Sequence, residues 1–184
     1  MKNLNMLILA ILFVSCNNKN NVNEVVTDIK ENTSLVAEEG LGKVTLICNG
    51  KKIVTEGSSG AIVTMGSLMI ALKDKINPAK VFTISFNTDK FPENGKEYII
   101  KSRNYSSDKN PENEITVGFM EVVSKNIMNV WDNDSNSGKI KFMVNGNRIT
   151  CAFKDVTLQP NTAFNADGLD HVATVSGEIT VYKN

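Results

Sequence analysis

Gly42-Lys43-Val44-Thr45-Leu46-Ile47-Cys48-Asn49-Gly50-Lys51-Lys52-Ile53 decides the fold class. Val44, Leu46 and Cys48 alternate with Lys43, Thr45 and Ile47, and a period of two belongs to a strand with one buried face and one wet face. Asn49-Gly50 supplies two residues that accept positive φ, which a two-residue type I′ hairpin needs at both central positions. The stretch reads as strand, tight turn, strand. Gly138-Lys139-Ile140-Lys141-Phe142-Met143-Val144-Asn145-Gly146-Asn147-Arg148-Ile149 aligns on it without gaps, with Gly, Lys, Asn, Gly and Ile identical, and predicts an equivalent second hairpin.

The same alternation extends on both sides. Phe82, Ile84 and Phe86 alternate with Val81, Thr83 and Ser85, and Val175, Ile179 and Val181 alternate with Thr174, Glu178 and Thr180. Further strands are expected at 67–73, 97–101, 114–123 and 149–156, each bounded by turn-forming residues. Gly57-Ser58-Ser59-Gly60 reads as a turn. One wet face per strand is the mark of antiparallel sheets, so residues 41–184 are expected to form an all-β domain, an antiparallel β-sandwich or alternatively an open barrel.

The N-terminus differs in kind. Met1-Lys2-Asn3 precedes an apolar run from Leu4 to Val14 and then Ser15-Cys16, the order of parts in a secretory signal peptide, 1–15. About ten apolar residues are too few to span a bilayer, which takes ~20. Phe13-Val14-Ser15-Cys16 resembles the bacterial lipobox, with Phe13 where Leu is usual, and the resemblance implies diacylglyceryl attachment to Cys16 and acylation such as palmitate. Two or more chains make such anchoring stable. Asn17, rather than Asp, resembles the sorting class of outer-membrane lipoproteins and implies the periplasmic face of that membrane more than the cell surface. Residues 16–40 read as a lipidated tether. Asn17-Asn18-Lys19-Asn20-Asn21-Val22-Asn23 has no apolar period, and Val25, Val26 and Ile29 have weak helical spacing.

Charge and chemistry narrow the function classes. Twenty basic residues balance twenty acidic ones, so the chain has no basic surface for nucleic acid. The single histidine, His171, falls in a polar loop, and Gly57-Ser58-Ser59-Gly60 lacks the Gly-x-Ser-x-Gly spacing of a nucleophile elbow. No catalytic residue and no cofactor is expected. Asp132, Asp134 and Asn136 begin like a calcium loop, but Ser137 and Met143 stand where an EF-hand needs Gly and Glu, and turn formation explains the same string. Cys48 and Cys151 lie on apolar faces and are either a disulfide or two buried thiols, because Cys also packs as a small hydrophobe. Tyr105, Trp131 and Tyr182 are candidates for a ligand-facing surface, Tyr105 within the polar stretch 102–113.

The Gly-Lys start with alternating residues into Asn-Gly, the segment Phe91-Pro92-Glu93-Asn94-Gly95-Lys96-Glu97-Tyr98-Ile99-Ile100 and the close at Val175-Ser176-Gly177-Glu178-Ile179-Thr180 resemble a family of uncharacterised Bacteroidetes lipoproteins. The resemblance covers roughly residues 40–184 and implies an all-β domain behind the lipid anchor. Its motifs are turns and core positions, so it carries no catalytic residue. The expected function is a membrane-anchored envelope lipoprotein whose domain binds rather than catalyses. The partner is an envelope protein, alternatively a glycan or small ligand, and the third alternative is a carboxylate hydrolase.

Overall fold

The computed structural model describes residues 33–35, 37–38, 40–101, 111–124, 127–132 and 138–183. These form strands β1 (Thr33–Leu35), β2 (Ala37–Glu38), β3 (Gly40–Cys48), β4 (Lys51–Thr64), β5 (Ser67–Asp74) and β6 (Lys80–Phe86). Strands β7 (Glu97–Ile100), β8 (Glu114–Ser124), β9 (Ile127–Asp132), β10 (Gly138–Asn145), β11 (Arg148–Pro160) and β12 (Ala173–Lys183) complete the order. The all-β expectation holds, and the architecture is the barrel alternative, closed rather than open. The signal peptide and Cys16 lie outside the described residues, as does most of the tether, though pairing already begins at Thr33. Residues 33–35 and 37–38 are strand, where the expectation was tether.

From β3 to β6 each strand lies beside the next; β8 then follows β6 with β7 on its far side, and β12 pairs with both β11 and β3 and closes the wall. An alternating antiparallel ring closes only with an even number of strands. The ring of nine, β3-β4-β5-β6-β8-β7-β10-β11-β12, closes because β7 runs parallel to β8. β9 and β10 both run opposite to β8 and β11 between them, β9 along the later part of β8 and β10 along the start of β11. They act as one interrupted wall strand, into whose lower half β7 is wedged between β8 and β10. The end bearing the Asn49-Gly50 turn is called upper here. The end where Thr33 joins β4 opposite Thr64 is called lower.

The two Asn-Gly hairpins form on their predicted strands, with different turns. At the first, Cys48 pairs with Lys51, and Asn49 and Gly50 both have positive φ. At the second, Asn145 pairs with Arg148, so Gly146 and Asn147 are central and only Gly146 has positive φ, as in a type II′ turn. Gly57-Ser58-Ser59-Gly60 is no turn: it lies in the middle of β4. Small residues stand there because neighbouring backbone comes close. A Cβ on Gly57 would sit 2.3 Å from the Lys73 carbonyl oxygen, and one on Gly177 would sit 2.4 Å from that of Lys43.

The lumen is filled. An eight-stranded barrel is just wide enough for side chains to occupy its interior. Phe82 on β6 stacks on Phe153 of β11 across the lumen at 5.1 Å, and Phe86, Tyr98 and Phe142 meet edge-on or tilted at 5.3 to 5.4 Å. Each such fully buried side chain stabilises the fold by roughly 1.5–3 kcal/mol. The loop 87–96 closes the lower end, with Pro92 buried, Phe91 packed on the core and Gly95 N–H donating to the Phe142 carbonyl at 2.8 Å. The loop 161–172 closes the upper end, inserting Leu169 into the core. Trp131 Nε1 and Cys48 Sγ both donate to the His171 carbonyl, each at 3.3 Å.

Candidate functional site

With the lumen occupied, the chemistry available to a partner is on the outside. Among the described residues, the exposed large apolar side chains are Leu41, Ile47, Met65, Ile76, Val123, Ile127, Met143 and Val172. Five of them sit at the upper end: Ile76 in the β5–β6 loop, Val123 and Ile127 flanking the β8–β9 tip, and Ile47 and Val172 beside the β3–β12 pair. Scattered exposed aliphatics need no explanation, but several on the loop tips of one end form a candidate contact surface.

Ile76 is 84% exposed, and the backbone that presents it is fixed from below. Asp74 ends β5 facing inward, only 6% exposed. Its Oδ1 accepts from Ile76 N–H at 3.1 Å and Asn77 N–H at 2.8 Å, and its Oδ2 accepts from Glu56 N–H at 3.0 Å. Lys80, itself largely buried, stands 3.5 Å from Oδ2. Burial alone would raise the Asp74 pKa, but the three backbone donors and Lys80 outweigh it and hold the carboxyl below its ordinary value. Asn77 continues the brace, its Oδ1 accepting from Ala79 N–H at 3.1 Å, while Val122 N–H donates to the Ala79 carbonyl at 3.1 Å. That last bond ties the Ile76 loop to the β8–β9 hairpin carrying Val123 and Ile127. A few aliphatic anchors held on rigid backbone bind with little ordering cost.

Outside the brace, Glu56 lies between Lys75 at 2.8 Å and Lys43 at 2.9 Å, and their hydrogen bonds bring its pKa down to about 2. Lys139 pairs with Glu97 at 3.3 Å and Lys101 with Glu114 at 2.5 Å. Many of the carboxylates are thus committed to lysines. Among the described residues, no group of three or more His, Cys, Asp or Glu could hold a metal.

The residues singled out from sequence do not gather. Trp131 is not ligand-facing: it lies on the inner face of β9, fully buried against Phe119 at 6.0 Å. Tyr182 is half-buried on the outer face of β12 opposite Arg148, and Tyr105 lies outside the described residues. Asp132 ends β9, while Asp134 and Asn136 lie outside the described residues. His171 is exposed and its Nδ1 is 2.9 Å from Asp170.

The Cys48–Cys151 disulfide does not form, and both are buried free thiols. The register explains why. Cys48 pairs with Ala173 and Cys151 with Ile179, on opposite sides of β12, and six residues along a strand separate them by ~20 Å. A bridge needs Cα atoms within ~7 Å. Burial pushes the Cys151 thiol up to about 12.

Sequence reasoning passed over Asp74 and Ile76. The signal was Asp74-Lys75-Ile76-Asn77-Pro78, where Asp, Asn and Pro mark a side-chain-braced turn and an isolated Ile has no strand to belong to. Comparison with known proteins returns no match: no family model, no curated protein and no solved structure matches the chain.

Proposed function

We propose that this chain is a bacterial envelope lipoprotein of the Bacteroidetes type, anchored through Cys16, whose barrel is a non-enzymatic interaction domain that presents its upper rim to an envelope protein. The observation that carries the reading is the grouping of Ile76, Val123 and Ile127 on braced tips at the end opposite to where the chain joins the barrel at Thr33. A tether leaving the lower end holds the rim away from the membrane, toward a partner. The outer membrane, periplasmic face, is the proposed location.

Two measurements test it. A photo-crosslinking residue at position 76 or 123 in cells should give a discrete adduct that the same residue at Met65, exposed at the lower end, does not. Identical adducts at both ends would overturn the rim as the contact. Ile76→Asp should abolish the adduct from position 123 with stability changed by no more than ~0.5 kcal/mol, because the side chain packs on nothing. For the anchor, a fatty-acid analogue should label wild type and not Cys16→Ala. A glycan partner is the second reading, favoured by the Tyr182–Arg148 cross-strand pair on the outer wall. Loss of glycan binding in Tyr182→Ala with the crosslink retained would select it.

A further inference from the structure

The wall is notched at its upper end, and the notch leaves backbone unpaired. β4 starts at Lys51, but β5 reaches only to Asp74, opposite Gly57. Among the described residues, Lys51–Glu56 lies beside β3 on one side and beside no strand on the other. Across the β5–β6 loop, β8 continues past Glu121, the partner of Lys80, to Ser124. Ile76 thus stands on the floor of the notch, with Val123 and Ile127 at its far side. In an antiparallel pair alternate residues turn both N–H and C=O toward the same neighbour. Cys48 and Lys51 close the two-residue turn, so Lys51, Ile53 and Thr55 bond to β3, and Lys52, Val54 and Glu56 face the notch. Glu56 obeys this rule: its N–H donates to Asp74 Oδ2 at 3.0 Å, and its carbonyl accepts from Lys75 N–H at 2.9 Å. The Asp74 carboxylate takes the place of a strand there, and pairing stops. Among the described residues, the N–H and C=O of Lys52 and Val54 meet no partner on this side. Lys52 is exposed and Val54 half-buried, so the edge is open.

Resting on the reading of the rim as the contact surface, we infer that the partner adds a short, extended, acidic segment to β4 at Lys52 and Val54, seated on Ile76. The backbone selects the class of occupant. Donors and acceptors repeating every second residue, ~6.6 Å apart, match an extended polypeptide, and neither a glycan nor a lipid headgroup offers that repeat. The notch between β4 and β8 spans three strand spacings, roughly 14 Å, which admits one extended segment with its side chains. Charge selects its composition. Lys51 and Lys52 are exposed and form no ion pair among the described residues, and Lys75 shares its one carboxylate, Glu56, with Lys43. Lysines on an edge discourage indiscriminate pairing and favour a segment that brings carboxylates.

The test uses the photo-crosslinking residue at position 76 in cells. Val54→Pro deletes a free N–H and spares the bonds to β3, which Val54 N–H does not make. The adduct should fall about tenfold, as for one lost backbone hydrogen bond, while Val54→Ala, which keeps the N–H, leaves it as in wild type. Lys52→Pro deletes the second free N–H nearer the hairpin tip and should act alike; it carries the test if Val54→Pro alters Trp131 emission. Lys51→Glu/Lys52→Glu should weaken the adduct through charge. In the purified full chain the amides of Lys52 and Val54 should exchange rapidly with solvent and those of Ile53 and Thr55 slowly. Slow exchange at all four would overturn the open edge. An adduct that survives both proline variants would overturn strand pairing and leave the rim as the contact, whereas no adduct from position 76 in wild type would overturn both. An adduct joining two copies of this chain would overturn the acidic partner segment.

Discussion

Asp74→Ala is the perturbation from which the structure yields the clearest magnitude. The carboxylate accepts from three backbone N–H groups and faces Lys80 at 3.5 Å in a site where Asp74 is 6% and Lys80 15% exposed. Hydrogen bonds to charged groups contribute roughly 1.5–3 kcal/mol each but do not add when they share one acceptor. Removing one partner of a buried pair costs about 3–5 kcal/mol, because the other charge stays behind. We expect Asp74→Ala to lose ~3–5 kcal/mol, and Asp74→Asn, which keeps an oxygen for Ile76 and Asn77, to lose about half of that. At about 2–4 °C per kcal/mol for a domain of this size, the Ala variant should melt ~6–20 °C lower. Urea unfolding followed by Trp131 fluorescence reads the change as a shift in midpoint at constant slope. The pH dependence adds a second readout. The folded pKa of Asp74 lies below the unfolded value of 3.8, so its contribution is fully present above that value and is lost as pH falls through the folded one. The stability difference between wild type and Asp74→Asn should therefore shrink below about pH 4. A loss under ~1 kcal/mol for Asp74→Ala, or a difference independent of pH down to 2, would refute the brace.

Trp131, the only tryptophan, should emit at short wavelength and resist acrylamide, and red-shift on unfolding; emission typical of solvent-exposed indole in the native protein would contradict its place inside the barrel. Trp131→Phe removes the bond to the His171 carbonyl and part of the packing on Phe119, so a loss of ~2 kcal/mol is expected in urea unfolding followed by far-UV circular dichroism. Cys48 and Cys151 should both be unreactive toward thiol reagents in the native state and both titrate after unfolding without reductant. An unfolded, unreduced chain showing neither thiol would mean that the two are bridged.

The strands were legible where alternation was strict. Residues 81–86 and 174–181 fall inside β6 and β12, and both Asn-Gly turns lie between paired strands. Alternation reports one wet and one dry face, which sheets in a sandwich and a barrel share, so closure was not readable from it. Closure depends on β12 meeting β3, a pairing across more than a hundred residues that no local pattern encodes. β4 was missed at its centre because Gly57, Ser59 and Gly60 are turn formers by propensity, while tertiary contacts give two of them a different use: Gly57 admits the close backbone of Lys73, and Ser59 Oγ donates to the Thr180 carbonyl at 2.5 Å. β9 was missed because Asn129 breaks its apolar run. With β9 unrecognised, Trp131 could not be assigned to the lumen. The rim was unreadable for a simpler reason, since five separate loops and strand ends become neighbours only once the wall has closed.

The lower end joins the chain through β1 and β2, which bond to β4 and β12 along their length. A pull between the N-terminal side and the upper rim runs parallel to these strands. Force in that direction loads the bonds of β1–β4 and β2–β12 in shear, all at once, rather than peeling them one by one. Mechanically the barrel is mounted like a rivet, so a chain fixed at its N-terminal side and held at Ile76 by something that moves would carry the load across this joint in shear.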